Sequence, residues 1–303
     1  MTPLSSLPGV DATGKTDTTA AIQAALNARN GAPTDFLVDG TFLVNPAGLW
    51  LPAGANLLTA RDGAGVFRAM PASYPNALLT AFGRAGFYVG GIAFDFTAAT
   101  GVTNGASVIA CLDCSDFEIE ACTLSGQWRF GIALNRITAA RIRRNKIGLT
   151  KPNGTDGNEA ILIVDGPGNS NIRIEGNVCT NSGMDLCLSD SEINGNTVSG
   201  WMFGAGITTS QSPYCYRLGI SGNRLSGGVG TDVNNTVVEG IENWAPHTRM
   251  DRNFIWDCAG AAIANAGANC VIAHNICVNN AGGAPQNVAG YGAGTLYDCN
   301  VVA

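Results

Sequence analysis

The sequence predicts an all-β protein: a right-handed parallel β-helix, a solenoid of about nine coils, behind a short N-terminal capping α-helix. Three observations carry this prediction. An apolar pattern repeats along the chain, a column of asparagines runs through it, and a second apolar strand recurs once per repeat.

Segments 117–124, 140–147, 172–179, 191–198, 218–225, 248–255 and 270–277 align without gaps on apolar-x-apolar-x-x-Asn-x-apolar, and 87–94 and 295–302 extend the series. Period-two alternation of this kind makes a strand with one face turned inward. The asparagine column reads Asn145, Asn177, Asn196, Asn223, Asn253, Asn275 and Asn300, with Ile92 and Cys122 at the same place in the two earliest coils. Its members stand roughly 20–30 residues apart, the length of one solenoid coil. Stacked asparagines at a bend pass side-chain hydrogen bonds from coil to coil and satisfy backbone groups that the turn leaves open. The second strand recurs at 131–134, 160–163, 185–188, 206–209, 240–242 and 262–264.

Composition agrees with a fold of many tight turns. Charged residues are 13% of the 303, half the usual share, and the 40 glycines supply backbone freedom at bends. A net charge of −6 argues against a nucleic-acid partner. No apolar run is long enough for a membrane span, and the first residues lack both the charged and the apolar region of a signal peptide. The expected organisation is one β-helix domain over 1–303, with cap helix and irregular strands in 1–60 and regular coils in 86–303.

The register also assigns features that suggest chemistry. Cys179 and Cys277 share the inward column with Leu124, Ile147, Val198, Leu225 and Ile255, so they read as small core hydrophobes. Cys111 and Cys114 form a CxxC without a second pair at zinc-ribbon spacing, so no metal is expected. The basic run around residues 129–151 stacks against acids: Arg141 beside Glu118, Arg143 between Glu120 and Glu175, and further on Arg173 beside Glu192. It reads as a structural charge ladder. Arg129, Arg144 and Lys151 are left without an evident partner.

At the N-terminal end, Thr16 or Asp17 caps a helix over 20–29, whose Ile22, Ala25 and Leu26 make an apolar face. Strands are expected at 36–38, 42–44, 49–51 and 56–58. The run from Gly9-Val-Asp11 through Asp17–Leu26, 37–44 and 49–58 resembles the opening of pectate-lyase-superfamily β-helix proteins, among them phage tailspikes and polysaccharide depolymerases. The resemblance implies a polysaccharide partner, an extracellular or virion-surface setting and, as in tailspikes, a homotrimer. It carries over no catalytic residue. The polygalacturonase Asn-Thr-Asp, Asp-Asp, His-Gly and Arg-Ile-Lys set, the pectate-lyase Arg-x-Pro-x-x-Arg segment and the alginate-epimerase Asp-Pro-His-Asp are all missing.

Chemistry on a β-helix sits on the outward face of a sheet between raised loops. The long connections at 150–158 and 226–236 predict a groove between them. Glu159, Asp185, Glu239 and Glu242 are the carboxylates of the second strand there, with Asp185 and Glu242 outward, two coils or about 10 Å apart. A glycosidase needs such a pair, one protonated and one ionised; a solvated or turn-bonding carboxylate is the plainer alternative. Trp128, Trp201, Trp244 and Tyr214 fall outside the inward columns and suit stacking on sugar rings. Arg129, Lys151 and His247 are the accompanying polar candidates for substrate, and His274, beside the asparagine column, reads as structural. The reading is a polysaccharide-binding and polysaccharide-cleaving protein, a glycoside hydrolase ahead of a lyase, with no cofactor unless a lyase brings Ca²⁺. Its alternative is a non-catalytic glycan-binding, receptor-binding or structural solenoid.

Overall fold

The computed structural model describes residues 1–29, 31–61, 63–102, 106–149, 159–201, 204–229, 238–288 and 290–302. The chain falls into two compact units, 1–153 and 154–303. In each, short parallel strands form three main sheets that the chain visits in turn, with a further two-stranded pair, Ser73–Tyr74 and Gly101–Val102, in unit 1–153, and the inward side chains of the three main sheets are buried.

Unit 1–153 opens with the cap. The helix runs Thr19–Asn27 and buries Ile22 and Leu26 completely. Thr18 is its N-cap residue, while Asp17 accepts the Thr19 N–H at 2.9 Å through Oδ1. The expected early strands appear as Thr34–Leu37, Thr41–Val44, Leu49–Leu51 and Ala55–Leu58. In the first sheet, Tyr88–Gly90, Ser115–Glu120 and Thr138–Arg143 pair in register, with Glu118 opposite Arg141 and Glu120 opposite Arg143. The Glu118–Arg141 and Glu120–Arg143 rungs of the expected charge ladder are therefore in register, and its ion pairs reach further than the sequence implied. Arg143 bridges Glu118 and Glu120, and Arg144, expected to lack a partner, is also bonded to Glu120.

Unit 154–303 carries the regular coils. Its first sheet contains Arg173–Glu175, Ser189–Asn194, Tyr216–Ser221, Arg249–Asp251, Val271–Ala273 and Leu296–Asp298. The second contains Val178–Thr180, Thr197–Ser199, Arg224–Ser226, Phe254–Trp256, Ile276–Val278 and Val301–Val302. The third contains Glu159–Ile163, Gly183–Leu186, Ile207–Thr209, Ile241–Asn243, Ile263–Asn265 and Gln286–Asn287.

The repeated pattern thus spans two sheets, because the chain turns a corner inside it. The residue before each asparagine is left-handed, which glycine accepts most cheaply: Gly195 has φ +63° and Gly222 φ +64°. Beyond the corner, Cys179, Val198, Leu225, Ile255 and Cys277 stack in register and are buried, as expected. Before it, Ile174, Ile193, Ile220, Met250 and Ile272 form a second fully buried column. Each such side chain contributes about 1.5–3 kcal/mol by leaving water.

At the corner itself the asparagines form the expected ladder. Nδ2 of Asn177, Asn196, Asn223 and Asn253 each donates to Oδ1 of the next member, at 2.9–3.0 Å. The same Oδ1 atoms accept the backbone N–H of the preceding member. A second ladder, outside the repeated pattern, runs Asn243–Asn265–Asn287 at the end of the third sheet.

Candidate functional site

The outward face of the third sheet in unit 154–303 gathers the carboxylates. Register sets Leu162, Asp185, Thr208, Glu242 and Ala264 in one column. Their neighbours along each strand, such as Met184, Leu186, Ile207 and Ile241, point inward and are buried. Alternation therefore forces Asp185 and Glu242 outward on either side of Thr208. Two strand spacings separate their backbones by about 10 Å.

The two acids have different surroundings. Asp185 is half-buried, and its pKa is pushed up from 3.8 to about 6, first by burial, then by the charges of Glu242 and Asp165. Asp165 accepts a hydrogen bond from Cys187 Sγ at 3.2 Å. Its carboxyl is held below the ordinary range by hydrogen bonds from Ser212 and then Cys187. Glu242 Oε1 accepts the indole N–H of Trp244 at 3.0 Å. Trp244 is itself fixed: Thr209 Oγ1 accepts its backbone N–H at 2.9 Å, and the Tyr291 ring stands edge-on at 5.3 Å. Tyr291 is half-exposed and was not anticipated from sequence, where it lies in a glycine-rich stretch far from the repeat. Tyr214, 45% exposed, extends from the same loop as Ser212.

The remaining candidates are placed elsewhere. Leu162, not Glu159, faces Asp185; Glu159 pairs opposite Gly183, and the register shifts between Glu159 and Ile161. Glu239 is half-buried and its charge acts on the Cys258 thiol. His247 is exposed beside the first sheet, where a groove of about 670 Å³ is lined by Glu192, Arg217, Arg249 and Asp251 as well. Lys151 and most of the two long connections lie outside the described residues.

Trp128 and Trp201, expected to stack on sugar rings, are instead fully buried and offer no face to a sugar. Trp201 lies under its loop, with Nε1 donating to the Glu239 carbonyl at 3.1 Å. A Cβ on Gly228 would meet its ring at 2.5 Å, so that glycine makes the space it fills. Trp128, in unit 1–153, packs edge-on against Phe96 at 5.9 Å. Beside it, the Arg129 guanidinium covers the Phe130 ring at 5.0 Å.

No family model matches the sequence, and no curated protein matches it. Solved structures do resemble the fold. The A-module of the Azotobacter vinelandii mannuronan C-5 epimerase AlgE6 superimposes with a TM-score of 0.64 at 15% identity, over 100% of this chain and 99% of its own. PfbA, a surface adhesin of Streptococcus pneumoniae, gives 0.72 at 14% identity, over 92% of this chain and 79% of its own. A tailspike protein mutant of E. coli bacteriophage HK620, in complex with a pentasaccharide, gives 0.69 at 13% identity, over 99% and 65%. What the chain shares with all three is the right-handed parallel β-helix fold.

Proposed function

We propose that this chain binds a polysaccharide along the outward face of the third sheet in unit 154–303 and hydrolyses it with inversion at the anomeric carbon. Asp185 is the general acid and Glu242 the general base. One observation carries the reading: two outward carboxylates flank a single strand, and one of them has its pKa raised to about 6. A carboxyl that keeps its proton near neutrality can protonate a leaving glycosidic oxygen. Glu242 takes the indole N–H of Trp244, which holds its carboxyl in place beside Thr208. Backbones about 10 Å apart bring the carboxyls toward the ~6.5–9.5 Å separation of inverting glycosidases, which leaves room for the attacking water. That water would sit over Thr208. Trp244, Tyr291 and Tyr214 supply apolar faces for sugar rings nearby.

The acidic character of the site favours a neutral glycan over a polyuronate. The charges acting on Asp185 are Glu242 and Asp165, and neither neutralises a uronate. The fold likeness to a tailspike bound to a pentasaccharide and to a surface adhesin supports a role at a virion or cell surface.

The test is a depolymerisation screen over neutral and acidic polysaccharides, read by new reducing ends and by absorbance of unsaturated uronates. Reducing ends without that absorbance, lost in Asp185→Asn and Glu242→Gln, are expected. Absorbance would make the chain a lyase and the assignment wrong. Glycan binding without cleavage would make it a non-catalytic binder.

A further inference from the structure

We propose that His274, Asp298 and Cys299 form a site for a divalent transition-metal ion of the zinc class, across two successive coils of unit 154–303 and apart from the carboxylate face. Ala273 pairs with Asp298 between parallel strands, so the residues that follow, His274 and Cys299, stack at the same corner. Both are left-handed, with φ +56° and +48°, where Gly195 and Gly222 stand in other coils. All three side chains are exposed, and one ligand atom from each lies within 4.8 Å of the others.

The donor set is one imidazole nitrogen, one carboxylate oxygen and one thiol sulfur, the types that zinc takes in four-coordinate sites, with water as the fourth ligand. Cys299 Sγ donates to Asp298 Oδ1 at 3.0 Å. An arriving cation displaces that proton to solvent, and thiolate and carboxylate together balance a charge of +2. The imidazole is already oriented: its Nδ1 lies 3.0 Å from Oδ1 of Asp251. The Asp251 side chain is 6% exposed and is anchored by Arg249 at 3.4 Å and Arg252 at 3.7 Å. Engagement of Nδ1 leaves Nε2 for the metal, and a buried carboxylate behind a ligating histidine is the usual support of such a ligand.

Binding is measured on the whole purified chain, by competition of Zn²⁺ with a chromophoric chelator and by the absorption spectrum of added Co²⁺. The expected result is one equivalent of metal and a thiolate-to-cobalt charge-transfer band. Cys299→Ser abolishes the band and, like His274→Gln, weakens Zn²⁺ binding at least tenfold. Asp251→Asn, which changes no ligand, weakens it about 10–100-fold. The ligand positions are exposed, so both ligand variants keep the fold, as far-UV circular dichroism checks. The absence of stoichiometric binding overturns the proposal. So does a cobalt band that survives Cys299→Ser, since it would then arise from another thiol. Glycan cleavage is unchanged in Cys299→Ser, which separates this site from the carboxylate face.

Discussion

Two sheet faces of this protein carry rows of acidic side chains, and they treat them in opposite ways. On the first sheet of unit 1–153, Glu118 and Glu120 stand opposite Arg141 and Arg143. Glu120, with only 8% of its side chain exposed, is bonded by Arg143 and Arg144 and takes the Tyr88 hydroxyl at 3.0 Å. On the third sheet of unit 154–303, Asp185 has Thr208 between itself and Glu242, and the charges acting on it are both negative. The same residue types on the same pleated geometry are thus a brace in one place and a strained, proton-retaining acid in the other. What separates them is the sign of the neighbours.

The sharpest test of that contrast is Asp185→Asn. Loss of a general acid lowers turnover by about 10²–10⁴-fold, measured as release of reducing ends from whichever glycan the wild-type chain cleaves. The same variant is expected to gain stability above neutrality. The Asp185 pKa of about 6 lies above the ordinary 3.8, so the folded chain holds this proton more tightly than the unfolded chain does. The stabilisation is full below about pH 4 and is lost as pH rises through 6; by pH 8 the ionised carboxylate costs about 2–3 kcal/mol. Urea unfolding of wild type and Asp185→Asn at pH 4 and pH 8 measures it, because their difference must grow with pH in favour of the variant. A difference independent of pH would mean that the Asp185 carboxylate is not strained.

A purely structural polar group behaves the other way. Asn223 donates from Nδ2 to the Ile193 carbonyl and to Asn253 Oδ1, and its Oδ1 accepts from Asn196. Asn223→Ala strands several buried groups and costs about 2–4 kcal/mol. The urea midpoint should fall at every pH, with cleavage per folded molecule unaltered.

The parts of this molecule that repeat were readable from sequence, as was the cap helix from its own local pattern, whereas the placing of loop side chains was not. Asn196, Val198 and Ile193 recur in register with their counterparts, and stacking turns recurrence into contact. The outward placement of Asp185 and Glu242 was legible the same way: each lies beside an inward apolar residue of its strand, and alternation fixes the face. Trp201 misled because its place outside the inward columns does not say whether a loop folds back over it. The sign was present in Gly206 and Gly228, which leave the volume its ring occupies, but glycine is too common in this chain to single them out. Arg144 misled similarly, since a left-handed corner residue turns its side chain back to Glu120 rather than along the strand. Tyr291 reaches Trp244 only through the course of the intervening chain, which no local pattern encodes.

Two smaller effects sharpen the contrast between brace and acid. Trp244→Phe keeps an aromatic face but removes the N–H that Glu242 accepts. It should lower turnover about tenfold, the scale of one charge-assisted hydrogen bond, and leave stability nearly unchanged. A loss of stability with full turnover would mean that Trp244 only packs against Tyr291.

The mirror experiment is Arg143→Met on the brace. The methionine keeps much of the apolar stem and removes the guanidinium shared by Glu118 and Glu120. Arg143 is about one-third exposed, and Arg144 and Tyr88 remain on Glu120, so the expected cost is only about 1 kcal/mol. That cost should shrink in high salt, which screens the remaining charges, and turnover should not change. Were Arg143→Met instead to abolish cleavage while the chain stayed folded, the catalytic face would have to be sought on the first sheet of unit 1–153. The paired carboxylates there would then be the chemistry rather than the brace.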